Sequence, residues 1–164
     1  MTGPANIAPF PVPQEWDVEP DPQAVRGARR LVVEIARFWD VPLSEGALRD
    51  VELCASEVIA NAVEHTGARC RVTVRWTGER LRVEVADAGL RLPEAVEAGD
   101  SATHGRGLRL VGEFAYAWGW EPSGAGARVW FEVAADRSEP GERRVTLHTG
   151  TAHGLVTTRL ARST

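Results

Sequence analysis

The stretch Glu57-Val-Ile-Ala-Asn61-Ala-Val-Glu-His65 decides how this chain reads. Residues four apart stand on one face of a helix, so Glu57, Asn61 and His65 form a single polar line. Leu48, Val51, Ala55, Val58, Ile59 and Ala62 recur beside that line at helical spacing and predict a stripe buried in a core. A carboxylate and a carboxamide at the border of such a stripe suit a proton acceptor and a neutral oxygen ligand for a cation. A Glu and an Asn one turn apart are also common on solvated helices, so the pair gains meaning only in company with other polar motifs.

Two segments nearer the C-terminus supply that company. Asp87-Ala-Gly89 closes a strand-like run, and Gly105-Arg-Gly107-Leu108 opens a helix-like one. Between Ser44, a plausible N-cap, and Gly67, a helix stop, the central helix is predicted to end near Thr66. Upstream, Asp21 and Pro22 mark the start of another helix reaching about Trp39 before Val41-Pro42 breaks it, with a short edge strand around Glu15 to Glu19. Its arginines Arg26, Arg29, Arg30 and Arg37 fall mostly outside the apolar stripe.

Downstream, Val72, Val74 and Trp76 alternate with Arg71, Thr73 and Arg75, and Leu81, Val83 and Val85 alternate with Arg82 and Glu84. Period-two alternation across Gly78-Glu79 predicts an antiparallel hairpin, half buried. Residues 90–104 show no period and read as a lid between two glycine-bearing motifs. A third helix is expected from Leu108, then a second strand pair, Trp118 to Glu121 and Ala127 to Val133. Helices on one face of a mainly antiparallel sheet make an α+β, two-layer α/β sandwich. The expected organisation is a flexible arm over 1–14, where prolines crowd, one domain over 15–134, and a flexible tail over 135–164 with a core-like pattern only at Val145 to Leu147.

Composition narrows the function. The 164 residues are 43% hydrophobic and 26% charged, typical of one globular domain. The 19 basic residues are all arginine. A chain without lysine has neither a phosphate-loop ATPase nor a eukaryotic-type kinase site, both of which need one. A net charge of −4 argues against direct binding of nucleic acid. No apolar run approaches the roughly 18 residues needed to span a membrane, and the first ten residues lack a signal-peptide pattern, so a cytoplasmic protein is expected. Cys54 and Cys70 read as buried free thiols, and the four histidines show no metal-ligand spacing.

If these motifs border one pocket, each residue type has a task. Asp87 can accept a hydrogen bond from an exocyclic amine, selecting adenine over guanine, and Gly89 lets a flat ring approach the backbone. Gly105 and Gly107 free backbone N–H groups to face phosphates at a helix N-terminus, with Arg106 adding charge. Asn61 suits Mg²⁺, and Glu57 can take a proton from an attacking hydroxyl. The dinucleotide fingerprint fails, because its third glycine position is Leu110.

In Ser56-Glu-Val-Ile-Ala-Asn-Ala-Val-Glu-His65, Val85-Ala-Asp-Ala-Gly89, His104-Gly-Arg-Gly-Leu108 and Gly126-Ala-Arg-Val-Trp-Phe-Glu132 the chain resembles the histidine-kinase-like ATPase superfamily, with its Bergerat ATP-binding fold. Within it, the likeness is to the stand-alone anti-sigma-factor serine/threonine kinases. The resemblance implies ATP and Mg²⁺ as cofactors, Glu57 as catalytic base and Asn61 as magnesium ligand. It implies Asp87 as the adenine contact, and Gly105 with Gly107 at the phosphates, the matched stretches also including His65, Gly89, His104, Arg106 and Leu108. It further implies a sigma factor and an anti-sigma-factor antagonist as protein partners, a homodimer, and phosphorylation of a Ser or Thr on the antagonist. The sensor histidine kinases carry a phosphoacceptor histidine upstream of this region, and no histidine precedes His65 here. The chain departs from the family pattern at Arg91, where a second glycine is usual, and at Arg128, where lysine is frequent. The rival expectation is a non-catalytic module in which nucleotide sets the shape of a protein-binding surface.

Overall fold

In the computed structural model, residues 10–87, 103–124, 126–135, 144–148 and 155–159 are described. Strand β1, Gln14–Val18, leads into helices α1, Pro22–Phe38, and α2, Glu45–Thr66. The hairpin β2, Cys70–Trp76, and β3, Arg80–Asp87, comes next, then α3, Thr103–Phe114, and the pair β4, Ala117–Ser123, and β5, Gly126–Ala134. These strands form one antiparallel sheet in the order β1-β2-β3-β5-β4. The three helices and the inner face of the sheet enclose one core, to which α2 contributes Val51, Cys54, Ala55, Val58, Ile59 and Ala62. This is the expected two-layer α+β sandwich.

Local chemistry accounts for the helix boundaries. The Asp21 carboxylate accepts from the Ala24 N–H at 2.8 Å, and Pro22 occupies the first helical turn, where its missing N–H costs nothing. The Ser44 hydroxyl accepts from the Ala47 N–H at 3.0 Å. Gly67 closes α2 at φ 59°, a left-handed conformation that favours glycine, and donates its N–H to the Val63 carbonyl. Helix α1 stops at Phe38, short of Pro42, because Asp40 turns left-handed at φ 53°. Asp21→Ala is expected to cost about 1 kcal/mol, read as a lower urea midpoint with an unchanged slope.

The outer face of the sheet is a charge lattice. Arg82 stands opposite Arg75 on β2 and Glu132 on β5, while Glu84 stands opposite Thr73 and Trp130. Glu84 is only 5% exposed and is approached by Arg82 at 2.8 Å, Arg75 at 3.5 Å and Arg128 at 3.6 Å. Glu132 pairs with both Arg80 and Arg82, and the Arg82 guanidinium also stacks 4.1 Å above the Trp130 ring. Alternation correctly assigned Glu84 to the side away from the helices, yet the surrounding arginines and Trp130 bury it.

Two boundaries differ from the sequence expectation. Helix α3 begins at Thr103 instead of Leu108, so Gly105 and Gly107 lie inside it. The penalty of about 1 kcal/mol for each helical glycine is offset by added backbone hydrogen bonds and by packing of α3 against α2. The segment read as a tail contains two short antiparallel strands, β6, Arg144–His148, and β7, Leu155–Arg159, with β6 lying against β4.

Candidate functional site

Asp87 stands on the core side of β3, in register with Leu81, Val83 and Val85 and opposite Ala127 of β5. A carboxylate at this end of an apolar row is buried to 6% exposure. The last residue of α2 meets it there: the Thr66 hydroxyl lies 2.8 Å from Asp87 Oδ2. The Thr66 oxygen also lies 2.9 Å from the Ala62 carbonyl one turn back and accepts from the Ala68 N–H at 3.1 Å. The end of α2 is thereby tied to the end of β3.

This tie orders the remaining candidates along a single axis. At 1.5 Å of rise per residue, Asn61 stands about 7.5 Å and Glu57 about 13.5 Å from Thr66 along the helix. Both side chains are half-buried. They flank Val58, Ile59 and Ala62, which face the core, so the polar line borders the buried stripe as its spacing predicted. His65 lies on the same helix, in its last turn.

His104, Gly105, Arg106, Gly107 and Leu108 all fall in the first half of α3, which packs beside α2. The N–H groups without an intrahelical partner belong to the first turn of a helix, so in α3 they fall at about residues 103–106, not at the later glycine. Gly89 and residues 90–102 of the segment read as a lid, 90–104, lie outside the described residues, while its last two, Thr103 and His104, open α3. The structure thus brings Asp87 to the end of α2 and sets Asn61 and Glu57 behind it in sequence order. Thr66 was not singled out from the sequence. Its signal was a hydroxyl at the last helical position before the Gly67 stop, where a side chain can reach beyond its own helix.

Cys70 sits beside this site at the start of β2, and burial together with the Asp87 charge pushes its thiol up to about 12. A thiol that ionises near 9 when unfolded but stays protonated when folded stabilises the fold below pH 9, and that contribution is lost as pH rises from 9 toward 12. At pH 8, iodoacetamide is expected to leave native Cys70 unmodified over a period in which the urea-unfolded chain is fully alkylated, as read by mass spectrometry.

The donors present suit a purine nucleotide. A buried carboxylate is matched to an amino group, an amide oxygen to a hard cation, and the start of a twelve-residue helix to phosphate oxygens. Among the described residues, no cluster of three or more histidine, cysteine or acidic side chains forms a metal site, and no helix is long and apolar enough to cross a membrane. A search of curated proteins found no match. The family profile described as histidine kinase-like ATPase domain matches residues 18–133, from the last residue of β1 nearly to the end of β5. That match takes in β2, β3, β4 and nearly all of β5, all three helices and every candidate residue, and the chain belongs to the histidine kinase-like ATPase domain family.

Proposed function

We propose that this ATP-binding regulatory domain is an anti-sigma-factor-type protein kinase, which transfers the γ-phosphoryl group of ATP to a Ser or Thr of an anti-sigma-factor antagonist. The observation that carries the reading is the Thr66–Asp87 hydrogen bond, because it fixes the order Asp87, Asn61, Glu57 along α2. That order matches a nucleoside triphosphate from its base, through its metal-bound phosphates, to its terminal phosphorus. Asp87 would hold the adenine amine, Asn61 would offer its amide oxygen to Mg²⁺, and the first-turn N–H groups of α3 would face the phosphates. Bound Mg²⁺ supplies neutralisation of phosphate charge.

In the transfer, the hydroxyl oxygen of the antagonist forms a bond to the γ-phosphorus as the bond to the β-phosphate oxygen breaks, and Glu57 takes the hydroxyl proton. In this reading the protein works in the cytoplasm as a homodimer and also binds a sigma factor. Arg91, in place of the usual glycine, favours one rival: a domain that binds ATP and a partner without transferring phosphate.

Calorimetric titration of ATP with and without Mg²⁺, against the wild type and Asn61→Ala, tests the first half. Binding strengthened by Mg²⁺ in the wild type and not in Asn61→Ala is the expected result. Incubation with γ-labelled ATP and an antagonist domain tests the second, and intact ATP binding with no label transferred would leave the rival standing.

A further inference from the structure

The Thr66 hydroxyl has one proton and three acceptors within reach, the Asp87 carboxylate at 2.8 Å, the Ala62 carbonyl at 2.9 Å and, farther off, the Ala68 carbonyl at 3.4 Å. The Ala62 carbonyl already receives the helical N–H from four residues on, and a charged acceptor binds a donor about twice as strongly as a neutral one. The proton therefore goes to Asp87. Receiving this donor on Oδ2 at 2.8 Å holds the Asp87 carboxylate in one orientation, and a carboxylate offers only acceptor sites.

The distinction matters because a purine amino group donates and a purine oxo group accepts. An accepting Asp87 pairs with the first and repels the second. We infer that Thr66 is a specificity-determining residue: by donating to Asp87 it fixes the orientation in which that carboxylate accepts, and so favours 6-amino purine nucleotides over 6-oxo ones. Thr66 acts through Asp87 and is a positioning residue. The inference rests on the nucleotide-site reading above and assigns it a base selectivity with its cause.

Thr66 also has a structural part, since its oxygen accepts the Ala68 N–H across the Gly67 turn. A loss of stability or of overall affinity would result from that part alone. A change in the ratio of affinities for two nucleotides differing only at the purine 6-position would not.

The test is calorimetric binding of ATP and of inosine triphosphate, each with Mg²⁺, to the full chain as wild type, Thr66→Val and Thr66→Ser. The wild type is expected to prefer ATP. Thr66→Val, nearly the same shape without the donor, is expected to narrow that preference by about tenfold, the scale of one hydrogen bond to a charged group. Thr66→Ser is expected to restore it. If Thr66→Val fails to fold, Thr66→Cys supplies a weak donor of similar size and is expected to narrow the ratio in the same direction. A wild type that binds ATP without preferring it, or a ratio unchanged in the variants, overturns the role of Thr66 while leaving the nucleotide site intact. A wild type that binds neither nucleotide overturns both.

Discussion

Glu57→Gln is expected to slow phosphoryl transfer to an antagonist by about two to four orders of magnitude, the usual contribution of a positioned general base. ATP affinity is expected to hold. The substitution preserves shape, removes only the capacity to take a proton, and is nearly neutral in helix propensity. Glu57 is half-buried at the margin of the core stripe and its two neighbours Val58 and Ile59 carry the packing, so folding does not depend on its charge. Single-turnover transfer at saturating ATP, compared with calorimetric affinity for the same protein, separates chemistry from binding. Transfer at the wild-type rate would remove Glu57 from the reaction. If wild type and variant transfer nothing yet bind ATP and partner alike, the non-catalytic reading prevails.

The second large effect is on stability. Glu84→Ala is expected to lower the free energy of unfolding by about 3 kcal/mol, a sizeable share of a typical domain's total. Removing this carboxylate leaves Arg75 and Arg82 directly opposite each other on neighbouring strands with their shared counter-charge gone. Arg82 is 19% exposed and covers Trp130, so water compensates it poorly, but it keeps Glu132 at 3.1 Å, and Arg75 and Arg128 are open enough to be partly solvated. That partial solvation and the retained Glu132 place the loss at the lower end of the range for breaking a buried pair. Urea unfolding gives the value. The double variant Glu84→Ala, Arg75→Ala should recover part of it, since the two substitutions share one contact and do not add. A single-variant loss below about 1 kcal/mol would show the lattice to be an ordinary surface arrangement.

The fold was legible because its periods do not conflict. Helical spacing marks α1 and α2, their caps are visible as Asp21-Pro22, Ser44 and Gly67, and alternation marks β2 and β3. Alternation also reveals, on inspection, that Asp87 belongs to the inward row of Leu81, Val83 and Val85, a placement costly for a carboxylate without a donor. The donor could not be identified from spacing, because Thr66 and Asp87 meet only through tertiary packing of α2 over the sheet. Two glycines in one turn signal a loop, yet α3 begins ahead of them, because its contact with α2 outweighs that propensity. Glu84 could be assigned to a face but not to a depth, since three strands supply the arginines that cover it.

Strand β3 is flanked on one side by its hairpin partner and on the other by β5, which the ribosome delivers only after α3 and β4. While that later strand is still missing, a nascent chain presents β3 as a bare border, with a ladder of unanswered amides and Arg82 deprived of Glu132 and Trp130. Products of interrupted translation that stop between β3 and β5 should therefore associate edge to edge and demand chaperone capture, whereas those extending past Ala134 should not.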